Sequence, residues 1–215
     1  MIVPEAPERF FVEFLPAFVA DLGAATPATA ASGRPASDDA ARRGRRAPAN
    51  AGIVTRVVGA GEWTLRFAER ALAVSPGVAA DAALQLSLRA EDFGPLVLEP
   101  LRSALAAPGE AGALAARSFW TRLGRFDEET VDLLRRQEGR ILVRVDDAGT
   151  SRNVALTPGL QPYSLEQAEC NIDCPLAALR EVQARRKNPL DLFYEGQIRI
   201  TGDAQIALAM AGLFL

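Results

Sequence analysis

The last stretch of the chain, NPLDLFYEGQIRITGDAQIALAMAGLFL (Asn188–Leu215), decides how the rest of the sequence is interpreted. It begins with a predicted turn, continues with a short alternating strand over Gln197–Thr201, and breaks at a Gly-Asp pair. Its final part, Ala204–Leu215, has Gln205 as its only polar residue and predicts a helix. A surface helix normally carries one apolar stripe. We therefore expect this helix to be covered on more than one side, by a sheet on one and by more protein or an apolar ligand on the other.

No part of the sequence predicts a transmembrane segment. The final helix has about twelve residues, whereas a membrane span needs about twenty, and no other uncharged apolar stretch reaches about eighteen. The N-terminal residues include Glu5, Glu8 and Arg9 where a signal peptide would have a basic head and an apolar run. The two cysteines, Cys170 and Cys174, are too few for a disulfide framework. A reducing, cytoplasmic location is therefore the simplest expectation.

The composition argues against several classes of function. The net charge of −3 gives no global field that would attract nucleic acid. The chain has no histidine, which removes the commonest general base and metal ligand and every Ser-His or Cys-His nucleophile. Glu91 and Asp92 are adjacent and fit helix capping better than acid–base catalysis. Cys170 and Cys174 would need further ligands to hold a metal, so two buried thiols are the simpler interpretation. We expect no catalytic residue, no metal, no cofactor and no nucleic-acid partner.

The N-terminal part combines an amphipathic helix with a polar segment. Apolar residues recur every three or four positions over Pro7–Leu22, which predicts a helix with a break or kink near Leu15, because Pro16 follows. Ala24–Asn50 has no aromatic or large aliphatic residue and is interpreted as a disordered linker. Its basic cluster, Arg42–Arg46, is either a solvated charge run or a contact to nucleic acid or lipid headgroups.

From Gly52 onward the pattern becomes strand-like, most clearly in Glu62–Phe67 and Asp81–Leu88, where larger apolar residues alternate with smaller or polar ones. Seven runs share this pattern and are bounded by Gly or Pro turns: Ile53–Val58, Glu62–Phe67, Ala71–Val74, Asp81–Leu88, Arg140–Asp146, Arg152–Thr157 and Glu169–Asp173. Helices are predicted over Ala90–Ala106, where Pro95 and Pro100 should break the helix into pieces, over Ala113–Glu138, and from Pro175 to about Lys187.

The order of these elements occurs twice. A hairpin, a third strand and a helix follow one another from Gly52 to about Ala106 and again from Gly139 to Lys187. Residue identity between the two rounds is low. The pattern therefore indicates either a duplication or the coincidence of common strand and turn signals.

Several segments, taken in this order, resemble the sterol carrier protein type 2 family of lipid-binding domains. They are GEWTLRF (Gly61–Phe67), ALAVSPG (Ala71–Gly77), ADAALQLSLRAEDF (Ala80–Phe93), and a closing set of Asn188-Pro189, Phe193, Gly196–Thr201, Gly202-Asp203 and Ala204–Leu215. RFFVEFLP (Arg9–Pro16) is similar to the leading helix of bacterial members. The resemblance covers about 52–93 and 139–215. It departs from a single family domain, because more than a hundred residues separate the first strands from the closing strand and helix.

The resemblance implies an α+β fold, with a mixed sheet of about five strands covered by helices and an apolar tunnel between them. Such a fold is either duplicated, with an abbreviated first copy, or one domain with a long insertion. We divide the chain into an N-terminal helix that packs on the first unit (1–23), a disordered linker (24–51), an abbreviated first unit (52–112) and a second unit with the closing strand and apolar helix (113–215).

The function implied is non-enzymatic binding or transfer of lipids, fatty acyl groups or other apolar small molecules. Nine apolar residues are the candidate cavity lining: Phe93, Leu96, Val97, Phe193, Ile198, Ile200, Leu208, Met210 and Phe214. Small-molecule pockets are mostly apolar with few polar groups, but the same residues could equally pack against each other as a filled core. The alternative is then a structural or protein-interaction module with a filled core. Transient contact with a membrane stays open as a further partner.

Overall fold

The computed structural model describes residues 2–24, 51–68, 71–106, 128–184 and 186–211. The helices in these ranges are α1 (Pro7–Arg9), α2 (Leu15–Ala24), α3 (Ala90–Phe93), α4 (Glu99–Ala106), α5 (Glu128–Arg136), α6 (Leu176–Gln183), α7 (Pro189–Tyr194) and α8 (Ala204–Ala211). Two π-helical turns, Phe10–Phe14 and Gly94–Leu98, join α1 to α2 and α3 to α4. The strands are β1 (Gly52–Val58), β2 (Gly61–Ala68), β3 (Ala71–Pro76), β4 (Ala82–Arg89), β5 (Ile141–Asp147), β6 (Thr150–Pro158), β7 (Cys170–Pro175) and β8 (Arg199–Gly202).

The strands form one mixed sheet in the order β3-β2-β1-β4-β6-β5-β7-β8. The α+β class and the mixed sheet were predicted correctly, but the number of strands, expected to be about five, is eight. The reason is that β4 pairs antiparallel with β6, from Leu84 opposite Pro158 to Leu88 opposite Val154. This pairing joins the strands of both rounds into a single sheet. The resulting order repeats an arrangement: β2-β1-β4 and β6-β5-β7 are each an antiparallel hairpin followed by a parallel strand.

The sheet has an apolar face that carries the core. Side chains at alternate positions of neighbouring strands point to this face, because the side-chain period of a strand is two. They include Leu65, Ile53 and Leu84, which are in register across β2, β1 and β4, and Leu156, Ile141 and Cys170, which are in register across β6, β5 and β7. All six are buried. The helices cover this face.

The opposite face carries polar side chains beside a small apolar cluster, and it is crossed by the segment that links β6 to β7, which we name the strap (residues 159–169). Gln85 holds the strap, because its amide nitrogen donates to the carbonyl oxygens of Gly159 and Gln161, both at 2.9 Å. The Gln85 amide oxygen accepts from Arg56 at 3.2 Å, and the Arg56 guanidinium lies 4.0 Å above the Tyr163 ring. Further along the strap, Leu165 packs with buried side chains of the sheet.

The N-terminal helix packs on the β2–β3 half of the apolar face through aromatic side chains. Phe11 stacks on Trp63 with ring centroids 4.8 Å apart, and Phe10 meets Phe93 edge-on at 5.3 Å. These rings are all at most 4% exposed. A helix separated from β1 by a long stretch of sequence therefore completes the core of the first round, as the predicted amphipathic pattern indicates.

Two of the three prolines that were expected to break or kink helices, Pro16 and Pro100, lie just after a π-helical turn. Leu15 N–H donates to Phe10 five residues earlier, directly before Pro16, and Glu99 N–H donates to Gly94 directly before Pro100. A proline in a regular α-helix removes one N–H donor and clashes with the carbonyl four residues earlier. A wider turn relieves that clash, so the helix continues past each proline. The segment 90–106 is divided at Gly94 and Glu99 into α3, a π-helical turn and α4, so the expected division near Pro95 and Pro100 is confirmed.

The Gly-Asp break before the last helix has a clear structural cause. Gly202 adopts a φ of 82°, and a Cβ at this position would collide with the carbonyl oxygen of Glu169. That oxygen accepts from Asp203 N–H at 2.8 Å, and the Asp203 carboxylate in turn accepts from Gln205 N–H at 2.9 Å. Glycine thus allows the close approach, and aspartate caps the first turn of α8.

The last helix differs from its prediction. Ile206, Ala207 and Met210 face the core and are buried, whereas Leu208 is 62% exposed. In the described part of α8 the apolar sequence is therefore covered on one side, and the expected cover on several sides is not observed there. Alanine supplies much of its apolar content, and exposing alanine costs little because it has a small side chain. Phe214, most of the predicted linker and residues 113–127 of the predicted helix Ala113–Glu138 lie outside the described residues.

Replacing Gly202 by alanine should destabilise the protein more than the same change at Gly149. Both residues have a left-handed φ (82° and 88°), but a Cβ at Gly149 would meet nothing within 4 Å. We expect Gly149→Ala to cost about 1–2 kcal/mol from the backbone conformation alone, and Gly202→Ala to cost more because of the collision. Urea unfolding of the two variants measures the difference, and equal costs would show that the contact with Glu169 is unimportant.

The ion pair of Glu169 predicts a dependence of stability on pH. Arg140 donates its backbone N–H and its guanidinium to the carboxylate, each at 2.8 Å, and these hydrogen bonds lower the pKa of Glu169 from 4.5 to about 2. A lowered pKa in the folded state stabilises the protein above the unfolded pKa, and this stabilisation is lost as pH falls towards 2. The stability difference between Glu169→Gln and the unmodified protein should thus shrink on acidification. Glu166→Gln, on the exposed strap, is the control, and a pH-independent difference for Glu169→Gln would contradict the prediction.

Candidate functional site

One band of the apolar face is less covered than its surroundings. We name it the apolar row: Val154, Val143, Ile172 and Ile200. These residues lie in register on four neighbouring strands, Val143 opposite Val154, Ile172 beside Val143, and Ile200 opposite Ile172. All four are only partly buried, although they lie on the face that carries the core.

Closed layers flank the row on both sides. On one side, Ile141 and Cys170 are at most 2% exposed and belong to the main core, together with Met210 of α8. On the other side, Val145 and Cys174 are at most 6% exposed and pack with Leu176 at the start of α6. Val143 and Val154 contact both clusters. The row therefore lies between the core layer that includes Met210 of α8 and the layer that includes Leu176 of α6.

The dimensions of the row suit an elongated apolar molecule. Four adjacent strands span about 14 Å, because neighbouring strands lie about 4.8 Å apart. An extended alkyl chain advances roughly 1.3 Å for each C–C bond of about 1.5 Å. The row thus matches a chain of about a dozen carbons lying across the strands.

Helices of the two rounds meet at one side of the row. Leu96 is buried in the same cluster as Leu176, and its carbonyl oxygen accepts from the Gln183 side chain of α6 at 3.2 Å. Because Leu96 lies four residues before Pro100, this carbonyl lacks the N–H that a regular helix would supply. Arg180 and Glu99 add an ion pair at 3.0 Å between α6 and α4. The wall formed by α6 is thus fixed to the helix of the first round.

A buried ion pair ties α3 to β6 near the end of the row. Arg152 lies opposite Val145 in the sheet, and its guanidinium contacts Asp92 at 3.3 Å and Asp147 at 2.9 Å. The hydrogen bond to Asp147 and, secondly, that to Asp92 raise the pKa of Arg152. Asp92 is 4% exposed and lies in the first turn of α3, as expected for an acidic residue at a helix N-terminus, and its carboxylate pairs with Arg152. Its partner lies 60 residues away, and nothing local in the sequence indicated the pair.

The structure brings only some of the predicted lining residues together. Val97, Ile198 and Ile200 are partly buried against the clusters that border the row, whereas Phe93, Leu96 and Met210 are fully packed core. Phe193 and Leu208 lie on the surface, 41% and 62% exposed, because their helices turn other residues inward. Phe214 is outside the described residues.

Sequence reasoning missed most of the row itself. Val143, Val154 and Ile172 were assigned to strands but not to a site. Alternation shows that they share a face, but their alignment depends on the pairing of β5 with both β6 and β7. Placing them side by side requires the register in which these strands pair, and a single sequence does not show that register.

Two cysteine thiols lie in the layers that flank the row. Burial raises the pKa of the Cys174 thiol to about 11 and also raises that of Cys170. Both thiols are free and buried, so at neutral pH they behave as small apolar side chains. Within the described ranges, no cluster of acidic or cysteine side chains could hold a metal ion. None of the described helices is long and apolar enough to cross a membrane.

Two surface depressions lie away from the row. One, of about 490 Å³, is formed by the β5–β6 turn and the start of α6, including Asp146, Pro175 and Arg180. The other, of about 310 Å³, lies between the start of the N-terminal helix and the second π-helical turn, and Phe93 is the one predicted lining residue that borders it. Charged side chains line both.

Solved structures with a similar backbone include three sterol carrier proteins. Sterol carrier protein 2 like 2 from Aedes aegypti is 13% identical, with a TM-score of 0.31, and the match covers 48% of this chain and 95% of that one. Sterol carrier protein 2 from Yarrowia lipolytica in its apo form is 14% identical, with a TM-score of 0.31, and the match covers 55% of this chain and 86% of that one. The sterol carrier protein domain 2 of Helicoverpa armigera is 15% identical, with a TM-score of 0.33, and the match covers 46% of this chain and 85% of that one. These likenesses are remote.

No curated protein matches the chain. The family comparison does give a match, and it falls on the part of the chain that contains the row. Residues 121–215 match the family described as the SCP-2 sterol transfer family, so the resemblance found in the sequence is confirmed for this C-terminal region.

Proposed function

We propose that this protein binds an apolar small molecule or lipid along the apolar row, without catalysing a reaction. One observation carries the proposal: four side chains in register stay partly buried between two closed layers of core. Covering them with an alkyl chain would remove apolar surface from water at about 25 cal/mol per Å². The family match of residues 121–215 supports the same class of ligand.

The proposal assigns different tasks to the parts of the chain. The row lies in the second unit (113–215), whose strands supply all four of its residues. The first unit (52–112) supports α6 through Leu96 and Glu99, and the N-terminal segment (1–23) completes the core of the first unit. We further propose that the protein acts in the cytoplasm and has no nucleic-acid partner, in line with its net charge of −3.

The alternative is a structural or protein-interaction module with a filled core. Phe93, Leu96 and Met210 favour it, because these three predicted lining residues are at most 4% exposed and contact other core residues. The two functions differ in one measurable respect. Organic extraction of purified protein followed by mass spectrometry should yield a stoichiometric lipid under the first, and nothing under the second.

Enlarging a side chain in the row should block ligand binding without loss of the fold. We expect Val143→Phe to weaken binding of a fluorescent fatty acid by about tenfold or more, since its ring would occupy the gap. The matched control is Val74→Phe, because Val74 is also a partly buried valine on a strand of the apolar face, but lies on β3. Fluorescence titration measures both, and thermal unfolding confirms that both fold. Equal affinities for Val143→Phe and the control would refute the row as the site.

Cys174 should report occupancy of the row. Its thiol packs beside Val143, and with a pKa of about 11 it forms little thiolate at neutral pH. In a Cys170→Ser variant, alkylation by a maleimide should therefore be slow and should accelerate with each pH unit up to about 11. Bound fatty acid should slow it further by closing the gap. Mass spectrometry follows the reaction, and alkylation that is indifferent to ligand would count against the proposed position.

A further inference from the structure

The apolar row is the second part of a longer line of side chains on the same face of the sheet. The line crosses six neighbouring strands in register, and its members are Val57, Leu88, Val154, Val143, Ile172 and Ile200. Val57 and Leu88 are 1% and 3% exposed, whereas the four residues of the row are partly buried. The change from closed to less covered therefore falls between Leu88 on β4 and Val154 on β6.

The closed end of the line is bounded by a helix that is held in place. Helix α3 begins directly after β4 and contacts both β4 and β1, and its Phe93 is 2% exposed. The neighbouring Asp92 carboxylate accepts from the Arg152 guanidinium at 3.3 Å and from the Asn153 backbone N–H at 3.4 Å. These two residues directly precede the first residue of the row. Leu88 and a fixed α3 therefore bound the row at its β6 end.

The other end of the row reaches the margin of the sheet. Ile200 belongs to β8, the last strand in the order of the described sheet. Gln197, Arg199 and Asp203, which lie close to it on either side in the sequence, are exposed. Burying a polar group without a partner is costly. An amphiphile in the row therefore directs its polar head towards β8 and its hydrocarbon end towards Leu88.

The row is one side chain wide. On β5 the same-face neighbours of Val143, which are Ile141 and Val145, are at most 2% exposed, and those of Ile172 on β7 are at most 6% exposed. Side chains on one face of a strand follow each other at about 7 Å. The less covered band thus suits one alkyl chain rather than two chains side by side.

We propose that Leu88 is the chain-length stop of the binding site. A fatty acid lies in the row with its methyl end against Leu88 and its carboxylate at the β8 end, and about a dozen carbons fit between them. This inference rests on the proposed function. It adds to that function the ligand class, a single saturated acyl chain, and the residue that limits the length of the chain.

A chain-length series tests the stop on the full chain. Saturated fatty acids of increasing length, up to about 18 carbons, compete with a fluorescent fatty acid for the protein. The affinity of the unmodified protein should rise about fourfold with each added methylene up to about twelve carbons. Beyond this levelling point it should stay constant, because further methylenes extend past the row and gain no contact.

Replacing Leu88 by alanine should move the levelling point upwards by about two to four carbons, since the next position along the line is then vacated. The matched control is Leu84→Ala, because Leu84 is also a fully buried leucine of β4 but lies opposite Pro158, away from the line. The control should lose thermal stability to a similar extent and keep the levelling point. Val154→Leu instead enlarges the first residue of the row, so it should lower the levelling point, and it tests the stop even if Leu88→Ala does not fold.

The outcomes separate the stop from the proposed function. Affinity that keeps rising to the longest acid would overturn the stop and leave the binding function standing. Equal shifts of the levelling point in Leu88→Ala and Leu84→Ala, or an unchanged levelling point in Val154→Leu, would do the same. If neither the fluorescent probe nor any fatty acid binds, the proposed function fails, and the stop fails with it.

Discussion

The pairing of β4 with β6 is the contact on which the rest of the structure depends. It aligns Leu84–Leu88 with Val154–Pro158 and so places the helices of both rounds against the same apolar face. Because the two halves share one face, their helices also meet. The ion pair between Asp92 and Arg152 and the pair between Arg180 and Glu99 both join a helix of the first round to an element of the second. The helices of each half therefore depend on contacts with the other half.

The two π-helical turns show how one local constraint has two outcomes. Each relieves a proline clash, and each leaves a carbonyl oxygen without its regular donor. Before Pro16 this oxygen belongs to Val12, which is 48% exposed and can be hydrated. Before Pro100 it belongs to Leu96, which is buried, so a protein donor is required and Gln183 supplies it. The hydrogen bond that the Leu96 carbonyl requires thus comes from Gln183, and this contact positions α6 beside the row.

The sequence was sufficient for what depends on neighbours along the chain. Alternation predicted the strands to within a few residues, since it reflects one buried face, and the Gly-Asp break was correctly placed before α8. The sequence was insufficient for features that depend on pairing between residues far apart along the chain. The β4–β6 contact, which changes about five strands into eight, joins residues some 70 positions apart. The apolar row also depends on such pairing, because β5, β6, β7 and β8 each contribute one of its residues. For α7 and α8, the rotation of a mostly apolar helix is not encoded in its own pattern, so Phe193 and Leu208 were expected inside and lie outside.

The two halves of the sheet differ in how their apolar face is filled, and the proposed binding site lies in the second half. On the β2–β3 side, Trp63 is met by the rings of the N-terminal helix, and large aromatic side chains fill much of the space. On the β5–β8 side the row consists of valine and isoleucine, whose short branched side chains reach less far from the sheet. Each square ångström left uncovered there forgoes about 25 cal/mol of stabilisation. A core shaped for stability alone would fill that gap with larger side chains, as the first half does. The valine and isoleucine side chains of the second half stay partly buried instead, and the proposed apolar ligand would cover them.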